Sequence, residues 1–241
     1  LLGRVVQGNF GNSFRTSQPA LSTVLHRLPA TLLLGAAGMA FALAIGIPMG
    51  IIAAANRGAL LDKLMRLVAL SGQAIPSFWL GLVLILIFAV KLRWLPAGGY
   101  GRWQNLVLPA ITLGAFAAAV TIRLLRSALL DVLGADYIRT ARAKGLAGRA
   151  VVQRHALRNA LLPVVTALGI QLGSLLAGTV IVETIFAWPG MGRLTIQSIQ
   201  SSDCSVVQTT IILTSTWIVL INLVVDIFYV WLDPRVKLGG A

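Results

Sequence analysis

Five apolar runs joined by short, mostly basic connections restrict what this 241-residue chain can fold into more than any other feature. They extend from about Leu28 to Ala55, Ala74 to Val90, Leu106 to Leu125, Ala160 to Phe186 and Val207 to Trp231. A helix that crosses a hydrocarbon core of ~30 Å needs roughly 20 apolar residues, which these runs supply. The composition agrees, with 57% hydrophobic and 11% charged residues, where a soluble domain carries about 25% charged. The expectation is an all-α, polytopic membrane protein with five spans, surrounded by membrane lipid. Met65 to Ser71 reads as a shorter apolar lead-in to the second span, broken near Pro76, since proline removes a helical hydrogen bond.

The positive charges orient the spans, because short loops rich in Lys and Arg are retained on the cytoplasmic side. Arg57, Lys63 and Arg66 follow the first span, and Arg123 and Arg126 open a heavily basic connection after the third. Arg235 and Lys237 lie in the tail. The intervening loops hold only Lys91, Arg93 and Arg102 in one, and Arg193 in the other. The chain therefore begins outside, with residues 1–27 an extracytoplasmic segment, and ends with its C-terminus inside. An additional N-terminal span upstream of Leu1 is the expectation that follows from this parity, with a cleaved signal peptide as the alternative.

A net charge of +13 raises the question of nucleic acid, but the basic residues cluster between spans without an aromatic-interleaved recognition motif. No nucleic-acid partner is expected. Cys204 is alone, and His26 and His155 are far apart with no ligand-spaced Cys or Glu, so no metal site is expected. No GxxxxGK[ST] phosphate loop, nucleophile elbow or HExxH occurs, so the chain reads as a transport subunit and not an enzyme.

Ionisable groups at membrane depth are costly and mark function or specific pairing. Glu183 and Asp226 stand out there, and the first role assigned to each is an interhelical hydrogen bond or a partner-chain ion pair. Two scattered carboxylates make a poor proton relay. Ser71, Gln73, Ser77, Gln171, Ser174 and Thr179 are candidates for a polar translocation path, each of which could equally serve as a helix-to-helix hydrogen bond. Small residues recur at four-residue spacing, Ala42, Gly46 and Gly50 in the first span and Gly169, Gly173 and Ala177 in the fourth, a pattern that lets helices approach closely.

The segment Asp136 to Pro163 is a basic island with Arg139, Arg142, Lys144, Arg149, Arg154 and Arg158 against Asp136 alone. Asp136 at the positive end of a short helix, with Gly145 as its left-handed stop, predicts one helix, and residues 149–159 predict a second. Composition alone leaves open a docking knob or a solvated anchor, and leaves open a secondary transporter, a channel or a scaffold.

The runs YIRTARAKG and RHALRNALLPVV resemble the EAA loop of bacterial ABC importer permeases, in the branch that carries dipeptides, oligopeptides, nickel or glutathione. RLPATLLLG, GIPMGIIAA, IPSFWLG, LPAGGYG, ETIFAWPGMG and LDPRVK extend the resemblance over almost the whole chain, and it is similar to the first of the two permease subunits. The acidic first position of the general loop pattern is absent: Arg139, Thr140 and Ala141 precede Gly145, and the interval to Leu162 and Pro163 is longer. The resemblance implies a type I ABC importer transmembrane domain over residues 28–238, with residues 136–163 as the coupling loop. It implies that Tyr137, Arg139, Thr140, Ala141, Arg142, Ala143, Lys144 and Gly145 dock on an ATPase that carries ATP and Mg, this chain holding no cofactor. The implied partners are a second homologous permease, two cytoplasmic ABC ATPases and an extracytoplasmic solute-binding protein, in a bacterial inner membrane. The scarcity of His, Cys and intramembrane acids tilts the solute from nickel towards di- or oligopeptides.

Overall fold

The computed structural model describes residues 10–138 and 156–232, apart from the side chains of 174, 176, 177, 226 and 228–232. Among the described residues every regular element is helical except an isolated bridge between Asn12 and Pro19. In chain order the helices are α1 (Ala20–Leu25), α2 (Leu28–Ala55), α3 (Leu60–Ala74), α4 (Ser77–Leu84) with a π-helical continuation (Ile85–Lys91), α5 (Trp103–Leu133), α6 (Leu157–Ile185), α7 (Met191–Gln200) and α8 (Cys204–Leu232). Three helical stretches are long and apolar enough to cross a membrane: Ala20–Ala55, Trp103–Leu133 and Cys204–Val225. Two broken pairs, Leu60–Ala74 with Ser77–Lys91 and Leu157–Gly173 with Gly178–Ile185, bring the number to as many as five.

The first span occupies the residues expected of it. The second differs, because the lead-in is a full 15-residue helix, α3, and not one turn. Its end is dictated locally: Ile75 is extended (φ −79, ψ 122) ahead of Pro76, as steric conflict with a following proline ring requires. Pro48, Pro109 and Pro163 lie inside helices that continue past them. Residues 157–159, expected in the second short helix of the basic loop, form the first turn of α6, and the span expected from Ala160 continues it. The expected second short helix over residues 149–159 falls mostly outside the described residues.

The chain divides into two compact units. One comprises Leu1–Gly38, Pro76–Leu113 and Gly173–Ile221. Its core includes Ala20, Val24, Met191 and Val206, so residues 10–25 fold onto α7 and the start of α8. The other comprises Met39–Ile75, Gly114–Leu172 and Asn222–Ala241. Within it the small-residue stripe of α2 is used as expected. Ala42 packs with Ala117 and Ala118, and a Cβ on Gly46 would stand 2.7 Å from that of Thr121. Such spacing brings backbones together where lipid offers apolar side chains little reason to leave it.

Candidate functional site

The flanks of the basic segment are built into one apolar core. Beyond α5, Gly134 and Ala135 turn the chain through bonds to Asp131 and Val132, and residues 136–138 begin a helical turn. Ile138 and Ala156, which enter and leave the segment, are fully buried together with Leu125, Leu129, Ala160 and Val164. Tyr137 is exposed, its hydroxyl accepting from the Asn159 amide at 2.9 Å. Arg139, Thr140, Ala141, Arg142, Ala143, Lys144 and Gly145 lie outside the described residues.

One turn along α5, Arg126 makes a bidentate pair with Asp62, Nε to Oδ1 at 2.6 Å and Nη2 to Oδ2 at 2.8 Å. Asp62 is the third residue of α3 and also accepts the Gly58 amide at 3.0 Å, which suits a carboxylate at the positive end of a helix. Its side chain is 1% exposed, with Arg66 a more distant and half-exposed neighbour at 3.6 Å. Sequence reasoning overlooked this acid. Its signal was being the one carboxylate in the basic connection that holds Arg57, Lys63 and Arg66.

In the other unit Glu183 organises the ETIFAWPGMG run. The end of α6 closes with Trp188 N donating to Glu183 O (2.8 Å) and Ala187 N to Thr184 O (3.3 Å). Ala187 there takes the left-handed conformation (φ 52) usually reserved for glycine. The turn carries the chain back so that α7 starts against the helix it has just left. Gly190 caps α7 without a side chain of its own, and the buried Glu183 carboxylate accepts the Arg193 amide at 3.0 Å. Thr31 donates to the same carboxylate at 2.7 Å and accepts the Met191 amide at 2.8 Å. Thr179 is within hydrogen-bonding reach as well. The donors left orphaned at a helix start are thus met by side chains from α2 and α6. Gly190 and Gly192 are obligatory, since a Cβ on the first would overlap the Glu183 carboxylate and one on the second would lie 2.5 Å from Val180 Cα. Gly99 N donates to Phe186 O, Tyr100 sets its ring edge-on to Trp188 at 4.9 Å, and Trp188 Nε1 donates to Ala30 O.

The path candidates scatter. Ser71 is exposed and Ser77 half-buried. Thr179 is buried beside Glu183 and borders a cavity of about 50 Å³ with Thr31, Thr195, Thr210, Thr214 and Trp217. At roughly 10–15 Å³ per water, that volume suits a few waters and no peptide. Gln73 Nε2 and both polar atoms of Gln171 are buried without a hydrogen-bond partner among the described residues. The side chains of Ser174 and Asp226 lie outside the described residues. Among the described residues no cluster of His, Cys, Asp or Glu could hold a metal ion.

Helices of membrane length, a break at Pro76 and a basic segment whose flanks are rooted in a helical core mark a polytopic membrane protein. Residues 46–238 match the binding-protein-dependent transport system inner membrane component family, and the chain belongs to that family. It is accordingly the permease subunit of an ABC importer. The glutathione transport system permease protein GsiC of Escherichia coli K12 is 44% identical over 236 residues, 98% of this chain and 77% of that protein. GsiC of Shigella flexneri serotype 5b gives the same figures. Among solved structures, an inward-facing MetNI methionine ABC transporter chain shares the fold with a TM-score of 0.74 at 22% identity, covering 87% of this chain and 96% of that one. An amino acid ABC transporter chain does so at 0.62 and 15% identity, covering 89% and 94%.

Proposed function

We propose that this permease subunit passes a peptide-like solute, glutathione or a short peptide, delivered by an extracytoplasmic binding protein. The observation that carries the solute class is the 44% identity across nearly the whole chain to glutathione transport permeases. Gln73 Nε2 and the Gln171 amide, unpaired among the described residues, support it, because a carboxamide offers a peptide group both a donor and an acceptor, and leaving such groups buried and unpaired is costly. Gln73, Gln171, Ser71, Ser77 and Ser174 are the path residues in this reading, with Thr179 acting through Glu183.

A second homologous permease completes the path, and two cytoplasmic ATPases bind ATP and Mg and supply the energy. Tyr137, Arg139, Thr140, Ala141, Arg142, Ala143, Lys144 and Gly145 form the surface that docks on one ATPase, with the C-terminus on the same side. The test is uptake of labelled glutathione and of labelled dipeptides into proteoliposomes that hold the full complex, with binding protein outside and ATP inside. ATP-dependent uptake of one of these is expected, as is its loss when Ala141 and Gly145 are made bulky. Uptake that persists without ATP would refute the reading and favour a secondary transporter.

A further inference from the structure

We propose that the Asp62–Arg126 pair is the strut through which movement of the coupling segment reaches α3, so that these two side chains set how much transport each ATP hydrolysed yields. The inference rests on the reading of residues 136–145 as the ATPase-docking segment.

Three observations within one compact unit lead to it. Both flanks of the segment, Ile138 and Ala156, are fully buried in a core that contains Leu125 and Leu129 of α5. Displacement of the segment must therefore be shared by α5, because close-packed interiors transmit strain instead of absorbing it. Arg126, the neighbour of Leu125, then grips Asp62 with two short bonds of 2.6 and 2.8 Å.

Further along the two helices Ala69 packs with Ala119 and Ile122, and a Cβ on Gly72 would stand 2.9 Å from that of Ala119. The opposite side of α3 presents Leu60, Leu64, Leu67 and Leu70 outward. To this apolar packing the bidentate guanidinium–carboxylate pair adds a link of fixed geometry. A slip of one residue, about 1.5 Å along the axis, would distort both bonds at once. The pair therefore locks the axial register of α3 to α5. Gly58, whose amide also holds Asp62, ties the lock to the turn before α3.

The experiment uses the whole importer in proteoliposomes, reading ATP hydrolysis and uptake of labelled glutathione, or of a labelled dipeptide if the wild type carries that instead. Arg126→Gln and Asp62→Asn should assemble with the ATPases and hydrolyse ATP within about twofold of wild type. Their uptake per ATP should fall about tenfold, with Arg126→Lys between them and wild type because it keeps the charge but not the fork. In a Cys204→Ser background, Asp62→Cys with Arg126→Cys should regain uptake per ATP when bridged by a short bifunctional thiol reagent. A purely structural role would lower hydrolysis and uptake together, in step with the amount of assembled complex, and would overturn the proposal. So would an unchanged ratio in assembled Arg126→Gln. Should Arg126→Gln fail to assemble, the ratio in Arg126→Lys decides by the same criterion. Hydrolysis and uptake that stay at wild-type level when Ala141 and Gly145 are made bulky would instead remove the docking reading on which the strut rests.

Discussion

Replacing Glu183 by alanine should destabilise the permease. The carboxylate accepts the buried Thr31 hydroxyl and the partly buried Arg193 amide, and its removal leaves both donors without this acceptor. Each buried group so orphaned costs about 1–3 kcal/mol, giving about 2–6 kcal/mol. Water from the adjacent small cavity could reach the gap, which favours the lower half of that range. For a chain of this size each kcal/mol shifts the unfolding midpoint by about 2–4 °C, so a fall of roughly 5–15 °C is expected.

The assay is thermal unfolding of the detergent-solubilised complex followed by fluorescence-detected size exclusion. Glu183→Gln keeps one acceptor oxygen and should lose about half as much. Thr31→Val breaks the relay from the other side, since Thr31 serves both Glu183 and the Met191 amide. The double variant should therefore cost less than the sum of the two single ones by about 1 kcal/mol. A Glu183→Ala midpoint within about 2 °C of wild type, or strict additivity with Thr31→Val, would refute the assignment of this carboxylate as a shared cap.

Ala187→Gly should raise the same midpoint by a few degrees, because a left-handed alanine (φ 52) carries a cost of about 1–2 kcal/mol that glycine avoids; a lower midpoint would contradict this. Gly46→Val forces a Cβ to 2.7 Å from that of Thr121, and overpacking of this kind costs about 1–3 kcal/mol, seen as reduced yield of folded permease on size exclusion. Asp203 accepts the Ser13 hydroxyl and the Val206 amide. Burial pushes its carboxyl up, but these and further backbone hydrogen bonds outweigh that and hold it below its ordinary value of 3.8. A depressed folded-state value means stability that is present above pH 3.8 and is lost as pH falls through the folded value. Asp203→Asn should accordingly flatten the acid limb of a pH–stability profile below about pH 4 and leave its shape near neutrality unaltered.

The spans were legible because apolar length and charge asymmetry are properties of the one-dimensional chain. Leu28 to Ala55 needed nothing else, and neither did the break at Pro76, which follows from the proline ring. The length of α3 was less legible, since Asp62, Lys63 and Arg66 dilute its apolar signal although the other face of the helix is apolar. α7 was missed for a similar reason. It is a short, mixed-polarity helix whose capping groups, Thr31 and Glu183, sit on other helices and leave no local cap signature. Glu183 could be picked out as an intramembrane acid, but its partners could not, because Thr31 is 152 positions away.

The sequence by itself determined the environment, the helical class, the approximate spans and the family, because lipid solvation and motif spacing act on residues in order along the chain. Only the tertiary structure decided which polar groups are spoken for. It paired Asp62 with Arg126 and committed Thr31 and Thr179 to Glu183, while leaving Gln73 Nε2 and the Gln171 amide without partners among the described residues. The reason is geometric: a hydrogen bond is won or lost over less than an ångström, and only packed helices place atoms that finely.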